Sequence, residues 1–179
     1  MHLKPFMLAL GYAATFQALP ASAAERALPA DQNTIDVCLS KAGESSETCI
    51  GIIYAPCIET AQGSSTMGMG ECAARELAVW DAILNKSYQG LLASSLGSTD
   101  AMPENRPPDN RRPGVVKGSD IIRDMQRAWI AFRAKKCDVA AMQFEGGSAS
   151  RVIYGDCSMR ETARQALWLR AIADEMSSH

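Results

Sequence analysis

Two histidines, six cysteines, a scatter of carboxylates and a cluster of arginines are the groups in this 179-residue chain that could do chemistry. The histidines are His2 and His179, at the two extremes of the sequence. A Ser-His-Asp or Cys-His centre needs a buried, oriented imidazole, and neither position offers one. The cysteines are Cys38, Cys49, Cys57, Cys72, Cys137 and Cys157. No Cys-x-x-Cys occurs among them and no histidine stands near them. Zinc spacing is therefore missing, and neither a metal nor another cofactor is expected. An even cysteine count in an exported chain points instead to three disulfides, with no thiolate left as a nucleophile. Spacing alone leaves the pairing open. Cys137 and Cys157 flank a turn between two expected antiparallel helices, which favours them as partners.

The carboxylates Glu71, Glu76 and Asp81 fall on one expected helix. Glycoside hydrolysis needs two facing acids. Glu76 and Asp81 are five residues apart and share a helix face poorly, so these acids read as surface or capping charges. The arginines Arg106, Arg111 and Arg112, with Lys117, lie in segment 97–118 among Pro103, Pro107, Pro108 and Pro113. Asp100, Glu104, Asp109 and Asp120 accompany them. This is a long exposed loop, stiffened by proline, that can offer guanidinium forks to a partner's carboxylates. A formal net charge of −2 and the absence of a basic stripe give no reason to expect nucleic acid.

The elements that must position these groups begin after an export signal. Lys4, the apolar stretch from Pro5 to Leu19 and the small residues Ala21-Ser22-Ala23 have the order of a secretory signal, 1–23, cleaved near Ala23. No cysteine follows that site to carry a lipid. The mature chain has no apolar run long enough to span a bilayer and is expected in the periplasm or secreted. It divides into a Cys-rich segment, 24–66, and a helical domain, 67–179. Apolar residues at three- and four-residue steps predict a first long helix over 67–96, capped by Ser65 or Thr66 and ended by Gly97. A second is predicted over 119–144, with Ser119 as N-cap and an apolar stripe of Ile122, Met125, Trp129, Phe132, Cys137 and Phe144. A third covers 149–176, with a break at Gly155. The fold class is all-α: three long antiparallel helices around Trp80, Trp129 and Trp168, beneath a Cys-rich N-terminal cap. The three tryptophans read as core rather than as a sugar platform, and the scattered methionines as core and loop fillers.

The residues over 72–169 resemble the LprI-type lysozyme-inhibitor-like family. Cys72 is followed by Trp80-Asp81, Leu84-Asn85 and Tyr88; a helix then carries Gln126, Trp129, Arg133 and Cys137. Gly146-Gly147, Cys157, Thr162 and Leu169 complete the pattern. The sequence departs from it twice, with Ala134 where the family has Asp and Gln165 where it has Arg. If those two family residues pair across helices, their joint loss removes a pair rather than stranding one charge. The resemblance implies a small helical exported protein whose partner is lysozyme or another peptidoglycan hydrolase. The matched residues themselves look structural, with Asp81, Asn85, Gln126 and Arg133 as a polar network between helices. The expected function is a non-enzymatic binding protein that occludes a muramidase through Arg106, Arg111 and Arg112. The alternative is an envelope structural or adaptor protein that binds another exported protein or cell-wall material.

Overall fold

In a computed structural model, the structure describes residues 27–101, 116–144 and 147–177. The signal segment and the arginines Arg106, Arg111 and Arg112 lie outside the described residues. Helix α1 spans Pro29–Ala42; its proline sits where a free N–H has no intrahelical partner, and Gly43, at φ +53, ends it. A 3-10 helix, Gly43–Cys49, follows, and the Cys38–Cys49 disulfide folds it back onto α1. The short helix α2, Tyr54–Ile58, is tied to the next helix by Cys57–Cys72.

Helix α3, Thr66–Ala93, begins as the sequence predicts, with the Ser65 hydroxyl accepting from the Gly68 amide at 3.0 Å. It ends earlier than Gly97, at Ser94, whose backbone is extended. Gly97 lies in a short helix, α4 (Ser95–Ser98), and two-residue strands follow, β1 (Asp100–Ala101) and β2 (Val116–Lys117). They pair antiparallel, Asp100 opposite Lys117 and Ala101 opposite Val116. Helix α5, Gly118–Met142, starts directly from β2, so Lys117 rather than Ser119 takes the N-cap position and no side chain caps it. The amide of Gly118 donates to the Thr99 carbonyl at 2.7 Å. A Cβ at Gly118 would stand 1.9 Å from the Leu96 carbonyl oxygen, so only glycine lets α4 and α5 meet this closely. Helix α6 spans Ala149–Ser177 without interruption. Gly155 does not break it; a Cβ there would sit 3.6 Å from that of Ala73, and the small pair brings α3 and α6 together.

The chain is all-α apart from the β1–β2 pair, among the described residues. Pairing between α5 and α6 runs Gln126 with Gln165, Arg133 with Thr162 and Cys137 with Cys157, so these helices are antiparallel. Thr66 beside Ser148 and Ala73 beside Gly155 make α3 and α6 parallel, and this pair has the most extensive packing. The core holds Ile35, Val79, Trp80, Leu91, Met159 and Leu169. It is not built around three tryptophans: Trp129 is half-buried and Trp168 is 49% exposed. On α6 the buried face includes Met159, Ala163, Ala166 and Leu169, and its two alanines admit a close neighbour. On α5 the buried line is Ile122, Gln126, Cys137 and Ala141, and the expected stripe residues Phe132 and Phe144 face solvent. Met67 and Met142 are exposed as well, whereas Met159 is fully buried.

Candidate functional site

The strongest polar arrangement lies inside the fold. Helical spacing puts Cys72, Glu76 and Trp80 on one line of α3, and all three are buried. Oε1 of Glu76 accepts from the Gly51 amide at 2.6 Å and from the Trp80 indole at 2.9 Å. Oε2 accepts from the amides of Ile53 at 2.9 Å and Tyr54 at 2.8 Å. Gly51, at φ +96, gives the turn the conformation that aims these amides at one carboxylate. Glu76 therefore takes the place of the backbone acceptors that this turn and the start of α2 lack. It is sealed from solvent with its acceptors engaged, which suits a structural group and not a proton-transfer group. Glu71 and Asp81 stand ten residues apart on α3, about 15 Å along the axis. That is wider than the carboxyl separation of a glycosidase pair.

Two arginines fasten the cap. Arg75 donates from Nε and Nη2 to Asp31 at 3.1 and 2.7 Å, tying α1 to α3, and Asp31 is buried. The hydrogen bond to Asp31, with help from its charge, raises the Arg75 pKa against the opposing effect of burial. Arg160 donates from Nε to both oxygens of Asp156 at 2.9 Å and lies beside Gly51. Burial pushes the Tyr54 hydroxyl above its ordinary value, Asp156 adds to the rise, and Arg160 opposes it. The folded state thus holds the Tyr54 proton to a higher pH than the unfolded chain. Its contribution to stability is complete below the ordinary value of 10.0 and is lost as pH rises through the folded value. Denaturant unfolding across the alkaline range should show this decline, and Tyr54→Phe should flatten it. An unaltered alkaline profile in that variant would contradict the assignment.

The family-pattern residues separate into smaller sets. Asn85 donates to Asp81 at 2.9 Å on the surface of α3. Gln165 donates to Gln126 at 3.3 Å across α5 and α6. Arg133 donates to the Thr162 hydroxyl at 2.7 Å, and its guanidinium lies over the Trp129 ring, 4.8 Å from the centroid. The Thr162 hydroxyl in turn donates to the Ser158 carbonyl at 2.7 Å. Leu84 and Leu169 are buried and Tyr88 is half-buried. Asp81, Asn85, Gln126 and Arg133 therefore do not form one network. Gln165 meets Gln126 on α5, and Ala134 stands next to Arg133, which meets Thr162.

The described residues on either side of the arginine-bearing segment lie together: Val116 and Lys117 pair with Asp100 and Ala101 beside the α4–α5 contact. A separate open groove lies between α3, α5 and α6, lined by Met67, Glu71, Met142, Arg151 and Tyr154 among others. Among the described residues no group of three His, Cys, Asp or Glu is placed to hold a metal.

Comparison with known proteins adds to this geometry. The model of the family described as lysozyme inhibitor LprI matches residues 57–169, more than half of the chain. The chain belongs to that family. The LprI match takes in the last two residues of α2 and both residues of the Cys57–Cys72 bridge, as well as the Cys137–Cys157 bridge that joins α5 to α6. A relative in Rhizobium meliloti (strain 1021), named uncharacterized protein R02472, is 27% identical over 110 residues, 62% of this chain and 75% of the relative. No solved structure matches the chain. The disulfides Cys38–Cys49, Cys57–Cys72 and Cys137–Cys157 fit an oxidising compartment. No helix among the described residues is long and apolar enough to cross a membrane.

Proposed function

We propose that this chain is an exported, non-enzymatic binding protein that occludes the cleft of a muramidase, using the segment that carries Arg106, Arg111 and Arg112. The family match over residues 57–169 carries the reading. The physical support is the paired stem, Asp100–Ala101 with Val116–Lys117, which joins that segment to the ends of α4 and α5. A glycosidase cleft holds two carboxyl groups about 5–9.5 Å apart. Arginine forks pair with such groups in a bidentate way, and blocking them removes both the acid and the base or nucleophile. Export follows from the signal at 1–23, with cleavage near Ala23.

Replacing Arg106, Arg111 and Arg112 together by alanine should weaken muramidase binding at least about thirtyfold, the loss of about 2 kcal/mol that one desolvated charge pair carries. The helical circular dichroism of the variant should match that of the parent. Undiminished inhibition by a folded triple variant would remove the segment from the mechanism. A stable exported partner, with no muramidase inhibited, would favour the envelope-adaptor reading.

A further inference from the structure

Helix α5 carries two apolar lines. The buried one packs on the rest of the fold. The other starts at Ile121, Met125, Ala128 and Phe132 and continues through Lys135, Val139 and Met142. Its steps alternate strictly between four and three residues, the a/d spacing of a coiled coil over three heptads. Ile121 is 40% exposed, Phe132 59%, Val139 63% and Met142 60%. Apolar side chains scattered singly over a surface need no partner. Here six of seven positions are apolar along one line of about 32 Å, five of them exposed and Met125 half-buried against the core.

We propose that this face of α5 is a self-association surface, and that its occupant is α5 of a second copy, running antiparallel about a twofold axis between Ala128 and Phe132. Self-complementarity argues for that occupant. In this register Ile121 meets Val139 of the second copy, and Ala128 meets its Phe132, so the smallest side chain of the line receives the largest. At the level of Met125, whose sulfur already accepts from Gln165 at 3.5 Å, the second copy offers only the aliphatic stem of Lys135. The twofold also keeps the flanks in order. In this register Asp124 falls within one residue of the level of the second copy's Lys135, so opposite charges approach each other twice by symmetry. Within one copy, Asp124 pairs with Arg127 at 3.0 Å and Lys135 with Asp138 at 3.3 Å. Both are exposed pairs of little strength, free to extend into a larger network. A parallel arrangement in register would instead place the two Lys135 ammoniums in one layer. The proposal is independent of the inhibitor reading, because it uses no residue of the 102–115 segment.

Sedimentation of the oxidised mature protein over micromolar to millimolar concentration tests it. A reversible monomer–dimer equilibrium is expected. Phe132→Glu, at an exposed position, should weaken it at least about tenfold while circular dichroism stays unchanged. Asp124→Lys should also weaken it, and Asp124→Lys combined with Lys135→Asp should restore it, because only the antiparallel register pairs those two positions. A monomer at millimolar concentration would overturn the proposal. So would a dimer indifferent to Phe132→Glu, or a double charge swap that fails to rescue.

Discussion

Glu76→Ala is expected to destabilise the fold by about 4 kcal/mol or more. The substitution leaves the amides of Gly51, Ile53 and Tyr54 and the Trp80 indole without their acceptor, all in a buried site. Each buried donor left unpaired costs about 1–3 kcal/mol. Water entering the vacated space recovers part of this, so about 4 kcal/mol takes the low end of that range for the four donors. Set against a typical domain stability of about 5–15 kcal/mol, this is enough to leave the variant marginal. Glu76→Gln preserves the shape but turns one acceptor oxygen into a donor that faces two other donors. It should be intermediate in urea unfolding followed by circular dichroism. Parental stability in the alanine variant would show that the turn at 50–54 does not depend on the carboxylate.

Reduction of the disulfides should have the second large effect. Their sequence separations are 11, 15 and 20 residues, and the three loops do not overlap. Loop-closure entropy assigns about 3 kcal/mol to each, so the three together approach the whole stability of an ordinary domain. The reduced protein should lose cooperative thermal unfolding at neutral pH, whereas Cys137→Ala with Cys157→Ala should lose only about a third as much stability. Retention of a cooperative transition within a few degrees of the oxidised protein would contradict this estimate.

Both effects rest on features of unequal visibility in the sequence. The all-α class, the Ser65 cap of α3 and the three-disulfide chemistry were legible, because each is written in local spacing or in residue counts. The pairing of Cys137 with Cys157 followed from the antiparallel return of α6 along α5. The role of Glu76 was hidden. Its position on the line of Cys72 and Trp80 is plain, yet an acid reads as surface, and its backbone donors lie 22 to 25 residues earlier in the chain. The inward face of α5 was legible in part. Ile122 and Cys137 are buried and Met125 and Trp129 pack against the core, but Phe132 and Phe144 face solvent. Periodicity weighted by side-chain size draws such large exposed residues into the stripe. The same weighting put Trp168 in the core, where α6 in fact buries Ala163 and Ala166. The stem of segment 97–118 escaped notice because two-residue strands leave no alternating pattern.

Inhibition of lysozyme is the most direct test of the functional account. Purified oxidised mature protein, freed of residues 1–23, is titrated into several classes of lysozyme acting on cell walls, and the remaining activity is measured. The account predicts a loss of activity in at least one class, ending at a simple stoichiometric ratio and accompanied by an isolable complex. Full activity in every class at saturating protein would contradict it and leave the LprI fold without its proposed partner.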